Sequence, residues 1–391
     1  MSVPDYPVIS IATPSFNQAS YICETIESVL SQEGAFEIEY FIVDGGSTDG
    51  SVEIIQEYAE RLKRGKYETR CAGVRLEWTS ARDSGQADAI NRALRKASGS
   101  FASYINSDDL YSPGAFASVI RTFAENPAAD FVYGDGDVID EGGGLQWEWL
   151  SRPYDHRVMT SYHFLWNDFT NYIMQQATFW RTSVHKKIGL FDETFHFALD
   201  VEYWIRAGHA GLNLVHIPEK LGKFRMIQGT KSLSSPVAFW SDYLEIFRRY
   251  RRDGSLHKFF AFYYFDLMRY KECNLAVARE AAEHVFRRWA VLPDDEQRKL
   301  REQSGRGYSI ACFLIANELQ KRGEFRQAQA AIRMARAGGS KAGLHPAVLY
   351  WRLKQLLGSA GSRLLDRAAD RLIAIYRRNR FDYRYQLKRS V

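Results

Sequence analysis

Short apolar runs alternate with amphipathic helical patterns from residue 8 to about residue 135, and this alternation constrains the fold more than any other feature of the sequence. Residues 8–12 and 40–43 have the length and the β-branched content of strands. Between them, apolar residues recur at helical spacing from Ile22 to Leu30. Because strands that alternate with helices favour a mostly parallel sheet covered on both faces, the sequence predicts a three-layered α/β fold.

The apolar run 101–105 leads directly into a polar turn with two adjacent carboxylates, Asp108 and Asp109. Ser112 and Pro113 then mark the start of the next helix. In open α/β sheets, ligands bind outside the carboxyl ends of the strands. Paired acids there suit Mg²⁺ or Mn²⁺, which keep coordination positions for water and substrate phosphates. The alternative is that the two aspartates only shape an Asx turn.

Acidic residues follow several of the predicted strands: Asp44, Asp83, Asp108, Asp109 and Asp135. Like charges gathered at one rim need a cation or hydrogen-bond donors between them. The loop 13–17 after the first strand contains no glycine, which argues against a dinucleotide-binding fingerprint. A GxxxxGK[ST] phosphate loop is also absent from the sequence.

Composition limits the class of protein further. A chain of 391 residues with 46% hydrophobic content can bury a large core and predicts two domains. The four scattered cysteines favour reduced thiols over a disulfide or zinc scaffold, and a net charge of +5 is too small to indicate nucleic acid binding. Residues 1–7 lack a signal-peptide pattern, and no run of 18 apolar residues predicts a membrane span. We therefore expect a cytoplasmic protein.

A further candidate acid lies in the segment 198–206, whose apolar spacing predicts a helix with Asp200 in its first turn. The helix dipole stabilises an ionised carboxylate at that position. If this helix end faces the cleft, Asp200 can accept a proton from an alcohol as a general base. Glu202 is the competing choice, but it lies about 200° away around the helix. The alternative is that Asp200 is only a helix N-terminal acid.

Six segments in order across about residues 7–235 resemble the family 2 glycosyltransferases, nucleotide-sugar enzymes of the GT-A fold. The similarity is greatest to the bacterial group that builds surface polysaccharides. The segments are 10–17 (SIATPSFN), 42–50 (IVDGGSTDG), 83–91 (DSGQADAIN), 105–114 (INSDDLYSPG), 133–135 (YGD) and 200–206 (DVEYWIR).

The resemblance implies an inverting, metal-dependent transfer of a sugar from a nucleoside-diphosphate sugar, UDP- or dTDP-linked, to a hydroxyl of a glycan or lipid-linked acceptor. Asp109 would ligate Mg²⁺ or Mn²⁺ together with Asp108, Asp200 would be the catalytic base, and Asp44 would contact the uracil or thymine edge. The donor-binding residues that the resemblance implies are Thr13, Pro14, Phe16, Asp44, Asp83, Gln86, Asn106 and Asp108. The acceptor-side candidates are Gln176, Glu202, Trp204 and Arg225.

Two departures from the family pattern leave a second function open. Asn106 and Leu199 stand where many relatives have acids, so the alternative is a catalytically impaired nucleotide-sugar-binding or scaffold protein of the same fold. The QxxRW signature of processive synthases is absent from the sequence, which argues against that type of enzyme.

From about residue 237 the pattern becomes helical, which predicts a transferase domain over residues 1–236 and a helical domain over 237–391. Basic and apolar residues interleave in the tail from Arg363. Such a helix can lie on an anionic membrane surface, which would make the protein peripheral at the inner face of the plasma membrane. The alternative is a packed terminal helix with a solvated basic face.

Overall fold

A computed structural model describes residues 6–160, 173–227, 239–251, 256–270, 280, 283, 285–337, 353 and 365. The chain separates between Pro236 and Val237 into two compact units. The first unit contains the sheet and the second is helical.

One mixed sheet forms the centre of the first unit. Its strands are β1 (Val8–Ser15), β2 (Gly34–Asp44), β3 (Cys71–Ser80), β4 (Phe101–Tyr104), β5 (Leu110–Tyr111), β6 (Phe131–Ile139), β7 (Leu145–Trp149), β8 (Thr178–Arg181) and β9 (Leu214–Arg225). Among the described residues the order is β3-β2-β1-β4-β8-β6-β9-β5, with β7 paired to β6. The long registers, β1–β2, β2–β3 and β6–β9, are parallel, and no antiparallel pairing of these strands joins more than four residues.

Helices cover both faces of this sheet. They are α1 (Ile22–Leu30), α2 (Ser51–Lys63), α3 (Gln86–Leu94), α4 (Ala115–Glu125), α5 (His156–Met159), α6 (Val184–Ile188) and α7 (Leu199–His209). Neighbouring residues of a strand point to opposite faces. On β6, Val132 packs in the core formed with α1 and α4, whereas Phe131 packs edge-on against Trp204 of α7, with 5.7 Å between the ring centroids. Helix α7 therefore lies on the face opposite to α1 and α4.

The predicted fold class, a mostly parallel sheet flanked by helices and followed by a helical region, is confirmed. A 3-10 turn, Gln175–Ala177, precedes β8, and residues 145–149 form β7. Residues 161–172 lie outside the described part of the chain.

The second unit contains α8 (Phe239–Tyr250), α9 (Leu256–Tyr270), α10 (Asp294–Lys321) and α11 (Phe325–Ala337). Helix α10 packs closely on α9 at Gly307, where a Cβ atom would lie 2.4 Å from Cβ of Phe260. Helices α10 and α11 are joined by the short turn 322–324, where Gly323 has φ +81°. Residues 366–391, most of the basic tail, lie outside the described residues. Of the helices described, none has both the length and the apolar character that a bilayer span requires.

Candidate active site

Four parallel strands end at one edge of the sheet. The register aligns Ser15 with Asp44 and Asp44 with Ser80, at the carboxyl ends of β1, β2 and β3. It also aligns Ala12 of β1 with Tyr104, the last residue of β4. The ends of these strands and the loops that follow them therefore lie side by side, and together they contain most of the residues that the sequence predicted for the donor.

Asp44 ends β2 and is completely buried. Its Oδ2 accepts hydrogen bonds from the N–H groups of Gly46 (3.0 Å) and Ser47 (2.9 Å) and from Ser80 Oγ (2.7 Å), while Oδ1 accepts one from Ser47 Oγ. Three of these four donors are on Oδ2, and the side chain has no exposed surface. In this structure Asp44 holds the turn that follows β2, and a base contact would require that turn to open.

The three residues expected in the nucleotide pocket near the end of β1 differ in their exposure to solvent. Thr13 and Pro14 are buried, and Thr13 Oγ1 is hydrogen-bonded to Tyr40 Oη (3.1 Å). Phe16 is 59% exposed. The following residue, Asn17, has φ +52°, a left-handed conformation that turns the chain sharply. Of the three, Phe16 offers an open aromatic surface, while Thr13 and Pro14 support the loop beneath it.

Asp109 is only 1% exposed and accepts hydrogen bonds from three different segments of the chain. Its Oδ1 accepts from the Arg225 N–H (2.9 Å), and its Oδ2 accepts from Asn106 Nδ2 (3.1 Å) and Gln176 Nε2 (2.7 Å). Gln86 Nε2 donates in turn to Asn106 Oδ1 (2.7 Å). An aspartate at position 106 could not donate to Asp109, so the amide stabilises the ionised form of its neighbour.

Asp108 and Asp109 fit a divalent cation that is shared with a substrate. Burial, and then the charge of Asp108, raises the pKa of Asp109 well above its ordinary value, and burial also raises the pKa of Asp108. The described residues contain no group of three or more His, Cys, Asp or Glu side chains that could hold a metal. Mg²⁺ bound through one or two carboxylates and substrate phosphates does not need such a group. The two acids therefore suit a cation completed by a diphosphate.

Arg225 ends β9 and is 1% exposed, so it does not form the open acceptor contact expected of it. Its Nε donates to the Asp108 carbonyl (2.9 Å), its Nη1 to the Glu141 carbonyl (2.8 Å), and its Nη2 pairs with Glu24 Oε2 of α1 (2.6 Å). The guanidinium also lies 5.2 Å from the ring centroid of Tyr21. Arg225 therefore holds the 108–109 turn against two other parts of the first unit.

Replacing Arg225 with methionine should lower the free energy of unfolding by about 3 kcal/mol, since buried acceptors lose a charged donor. Denaturant unfolding followed by intrinsic fluorescence measures the change. Glu24→Gln is the matched control, because Glu24 is largely exposed and glutamine keeps an acceptor for Nη2. Equal stability of Arg225→Met and the wild type would contradict the role of Arg225 as a structural support of the turn.

Asp200 lies in the first turn of α7, where its Oδ1 accepts a hydrogen bond from the Val201 N–H (2.8 Å). Tyr104 is buried at the end of β4, four residues before Asp108. Burial, followed by the negative charges of Asp200 and Asp109, raises the pKa of the Tyr104 phenol well above its ordinary value. The Tyr104 ring also packs against Phe191 (5.3 Å between centroids), which stacks on Tyr203 of α7 (4.3 Å), so α7 packs near the end of β4.

Three acceptor-side candidates have other surroundings in the structure. Glu202 is buried and paired with Arg206, with 2.9 Å between Oε2 and Nη2. Trp204 is completely buried, and its ring packs against Phe131 and Trp180. Gln176 is buried and donates to Asp109. Glu202 and Trp204 therefore belong to the packing of α7, and Gln176 belongs to the carboxylate site.

Asp135 does not end a strand, because β6 continues to Ile139. Its Oδ1 accepts from the Ser151 N–H (2.9 Å) and lies 2.9 Å from His216 Nε2. The prediction that it belongs with the strand-end acids is therefore wrong. The sequence showed an apolar run that stops at Tyr133, but the strand continues because β7 and β9 pair with its polar half.

Sequence reasoning did not single out Glu24 or Tyr104 for the site. Glu24 lies on the exposed side of an amphipathic helix, and Tyr104 lies within an apolar strand. Neither position departs from the pattern of its element, so only the tertiary fold reveals them.

Comparison with known proteins identifies the family. Residues 10–189 match the model of glycosyl transferase family 2. A PGL/p-HBAD biosynthesis glycosyltransferase of Mycobacterium tuberculosis is 30% identical over 203 residues, which cover 51% of this chain and 69% of that protein. An uncharacterized glycosyltransferase of the same species is 28% identical over 257 residues, which cover 66% of this chain and 86% of that protein.

The crystal structure of S. aureus TarS 1–349 in complex with UDP-GlcNAc is similar with a TM-score of 0.48 and 15% identity, over 84% of this chain and 92% of that chain.

A parallel strand edge that gathers buried carboxylates defines an α/β protein with a ligand site at the carboxyl ends of its strands. Within that class, this chain belongs to glycosyl transferase family 2, and it is a transferase enzyme.

Proposed function

We propose that this glycosyltransferase moves a sugar from a UDP- or dTDP-linked donor to a hydroxyl of a glycan or lipid-linked acceptor in polysaccharide biosynthesis. The reaction uses Mg²⁺ or Mn²⁺ and inverts the anomeric carbon. One observation carries the proposal: the helix that begins with Asp200 packs near the end of the strand that leads to Asp108 and Asp109. Tyr104, the last residue of β4, packs against Phe191 (5.3 Å between ring centroids), and Phe191 stacks on Tyr203 of α7 (4.3 Å). This packing supports a single site with one acid for a cation and one for an acceptor hydroxyl.

On the donor side, Asp108 and Asp109 would hold the cation, which neutralises the charge that develops on the departing nucleoside diphosphate. The protein fixes this turn before any substrate binds. Asn106, Gln176 and Arg225 donate to Asp109 from three different segments of the chain. Because these hydrogen bonds already orient Asp109, its carboxylate does not have to rearrange when the nucleotide sugar binds.

On the acceptor side, Asp200 would accept the proton of the incoming hydroxyl. Its position in the first turn of α7 favours the ionised carboxylate that a base requires. A base that frees the acceptor, with no covalent step on the enzyme, gives one displacement and therefore inversion. An acceptor on a lipid carrier would also explain the basic tail from Arg363, which we propose contacts an anionic membrane surface at the inner face of the plasma membrane.

A thermal-unfolding screen of the full chain with UDP-, dTDP- and GDP-sugars tests the donor assignment. We expect a UDP- or dTDP-sugar to raise the melting temperature with Mg²⁺ or Mn²⁺ present, and EDTA to remove the increase. A ligand at 100 times its Kd stabilises the folded state by about 2.7 kcal/mol. If no nucleotide sugar raises the melting temperature with either cation, the proposal is wrong.

A further inference from the structure

A side chain of α3 holds the loop between α6 and α7. Asn91 is 2% exposed, and its amide makes two hydrogen bonds to the backbone of Phe191. Oδ1 accepts from the Phe191 N–H (3.0 Å), and Nδ2 donates to the Phe191 carbonyl (2.9 Å). Nδ2 also donates to Glu193 Oε1 (2.9 Å). Among side chains of this size only an amide supplies both a donor and an acceptor, so the interaction depends on asparagine at position 91.

The ring of Phe191 connects this loop to α7. It stacks on Tyr203 of α7, with 4.3 Å between the ring centroids and 28° between the ring planes. Helix α7 binds the same loop through a second residue, because Arg206 donates to the carbonyl groups of Ile188 and Leu190. The loop is therefore fixed both to α3 and to α7, and Phe191 is the residue at which the two helices are joined.

The first residue of α3 is hydrogen-bonded to the carboxylate site. Gln86 donates from Nε2 to Asn106 Oδ1 (2.7 Å), and Asn106 donates from Nδ2 to Asp109 Oδ2 (3.1 Å). Asn91 lies further along the same helix. Helix α3 is therefore bonded at its start to the acids suited to the cation and, further along, to the loop that packs on α7.

We infer that Asn91 is a positioning residue for Asp200: through Phe191 it sets where the first turn of α7 lies relative to the cation site. This assignment rests on the proposed function, in which Asp200 is the base. Asn91 itself touches neither substrate nor cation in this role. A displacement of about 1 Å in a reacting group lowers a rate by about 10²-fold. Loss of the Asn91 hydrogen bonds should therefore lower turnover far more than it lowers donor affinity.

The test is a double-mutant cycle on the full-length protein with Asn91→Ala, Asp200→Asn and the two changes combined. The probe is the nucleotide sugar that most raises the melting temperature in the thermal-unfolding screen. Release of the nucleoside diphosphate gives the turnover number, and calorimetry gives the donor affinity and the number of binding sites, so that each rate refers to folded enzyme. We expect Asn91→Ala to lower turnover by about 10²-fold with donor affinity within about threefold of the wild type. In the Asp200→Asn background the same change should lower turnover by less than about twofold, because the base through which Asn91 acts is already missing.

Two further variants separate positioning from a general loss of stability. Glu193→Ala is the matched control, because it removes one hydrogen bond of Asn91 at an exposed residue and keeps both bonds to Phe191, so its turnover should equal that of the wild type. Phe191→Leu removes the ring that stacks on Tyr203 and keeps the backbone groups that Asn91 binds. It should lower turnover as Asn91→Ala does, and it provides the same test if Asn91→Ala does not fold.

The outcomes distinguish the inference from the proposed function. An equal effect of Asn91→Ala on turnover in the wild-type and Asp200→Asn backgrounds would overturn the inference, as would wild-type turnover in both Asn91→Ala and Phe191→Leu. Wild-type turnover in Asp200→Asn, or a wild type that binds no nucleotide sugar, would instead contradict the proposed function.

Discussion

Asp200→Asn is expected to lower the turnover number by about 10²- to 10⁴-fold, the range that a positioned general base supplies, while leaving donor affinity nearly unchanged. An amide cannot accept the acceptor proton, although its Oδ1 can keep the hydrogen bond from the Val201 N–H that shapes the start of α7. Because Asp109 and its donors belong to other segments, the cation and the nucleotide should bind as before.

Steady-state transfer and calorimetric donor binding, measured on the same preparation, separate the two effects. The control is Asp155→Asn, since Asp155 caps α5 by accepting from the N–H groups of Arg157 and Val158. If Asp200 were only a helix N-terminal acid, both variants would lose a modest amount of stability and no turnover. Near-normal turnover of Asp200→Asn would remove Asp200 from the role of base.

Much of the fold follows from local patterns in the sequence. The apolar runs 8–12, 40–43 and 101–105 are strands in the structure because buried parallel strands read as continuous apolar segments. The helices between them follow from apolar spacing. The position of strand β8 in the sheet is harder to predict from the sequence, because its place between β4 and β6 depends on antiparallel pairing with segments far away in the chain. Local periodicity contains no information on that pairing.

The candidate site is likewise only partly predictable from the sequence. Because ligands bind at the carboxyl ends of strands, the sequence alone predicts that Asp44, Asp83, Asp108 and Asp109 lie at one edge of the sheet. The state of each acid depends on its partners, and those are remote in sequence. Arg225 bonds the carbonyl of residue 108 and the side chain of Glu24, at separations of 117 and 201 residues. No spacing rule connects such positions. The sequence therefore could not show that the acceptor-side candidates Arg225, Glu202 and Trp204 are buried.

Asp109→Asn should remove cation-dependent donor binding and lower kcat/KM by about 10³-fold, a loss near 4 kcal/mol of transition-state stabilisation. The variant loses a charged cation ligand and also disturbs the network around it. Both Asp109 oxygens accept N–H donors, so either orientation of an asparagine amide directs its own NH₂ group at the Arg225 N–H or at Gln176 and Asn106.

Donor titrations with Mg²⁺, Mn²⁺ and EDTA measure the loss, and thermal unfolding reports whether the first unit stays folded. Gln176→Met is the matched comparison, because it removes one donor to Asp109, keeps the side-chain volume and retains both carboxylates. Its effect on donor affinity should have the same sign and be smaller, since Asn106 and Arg225 still orient Asp109. Cation-dependent binding of the nucleotide sugar that survives in Asp109→Asn at wild-type strength would exclude Asp109 as a ligand, and the cation would then have to be held by Asp108 without its neighbour.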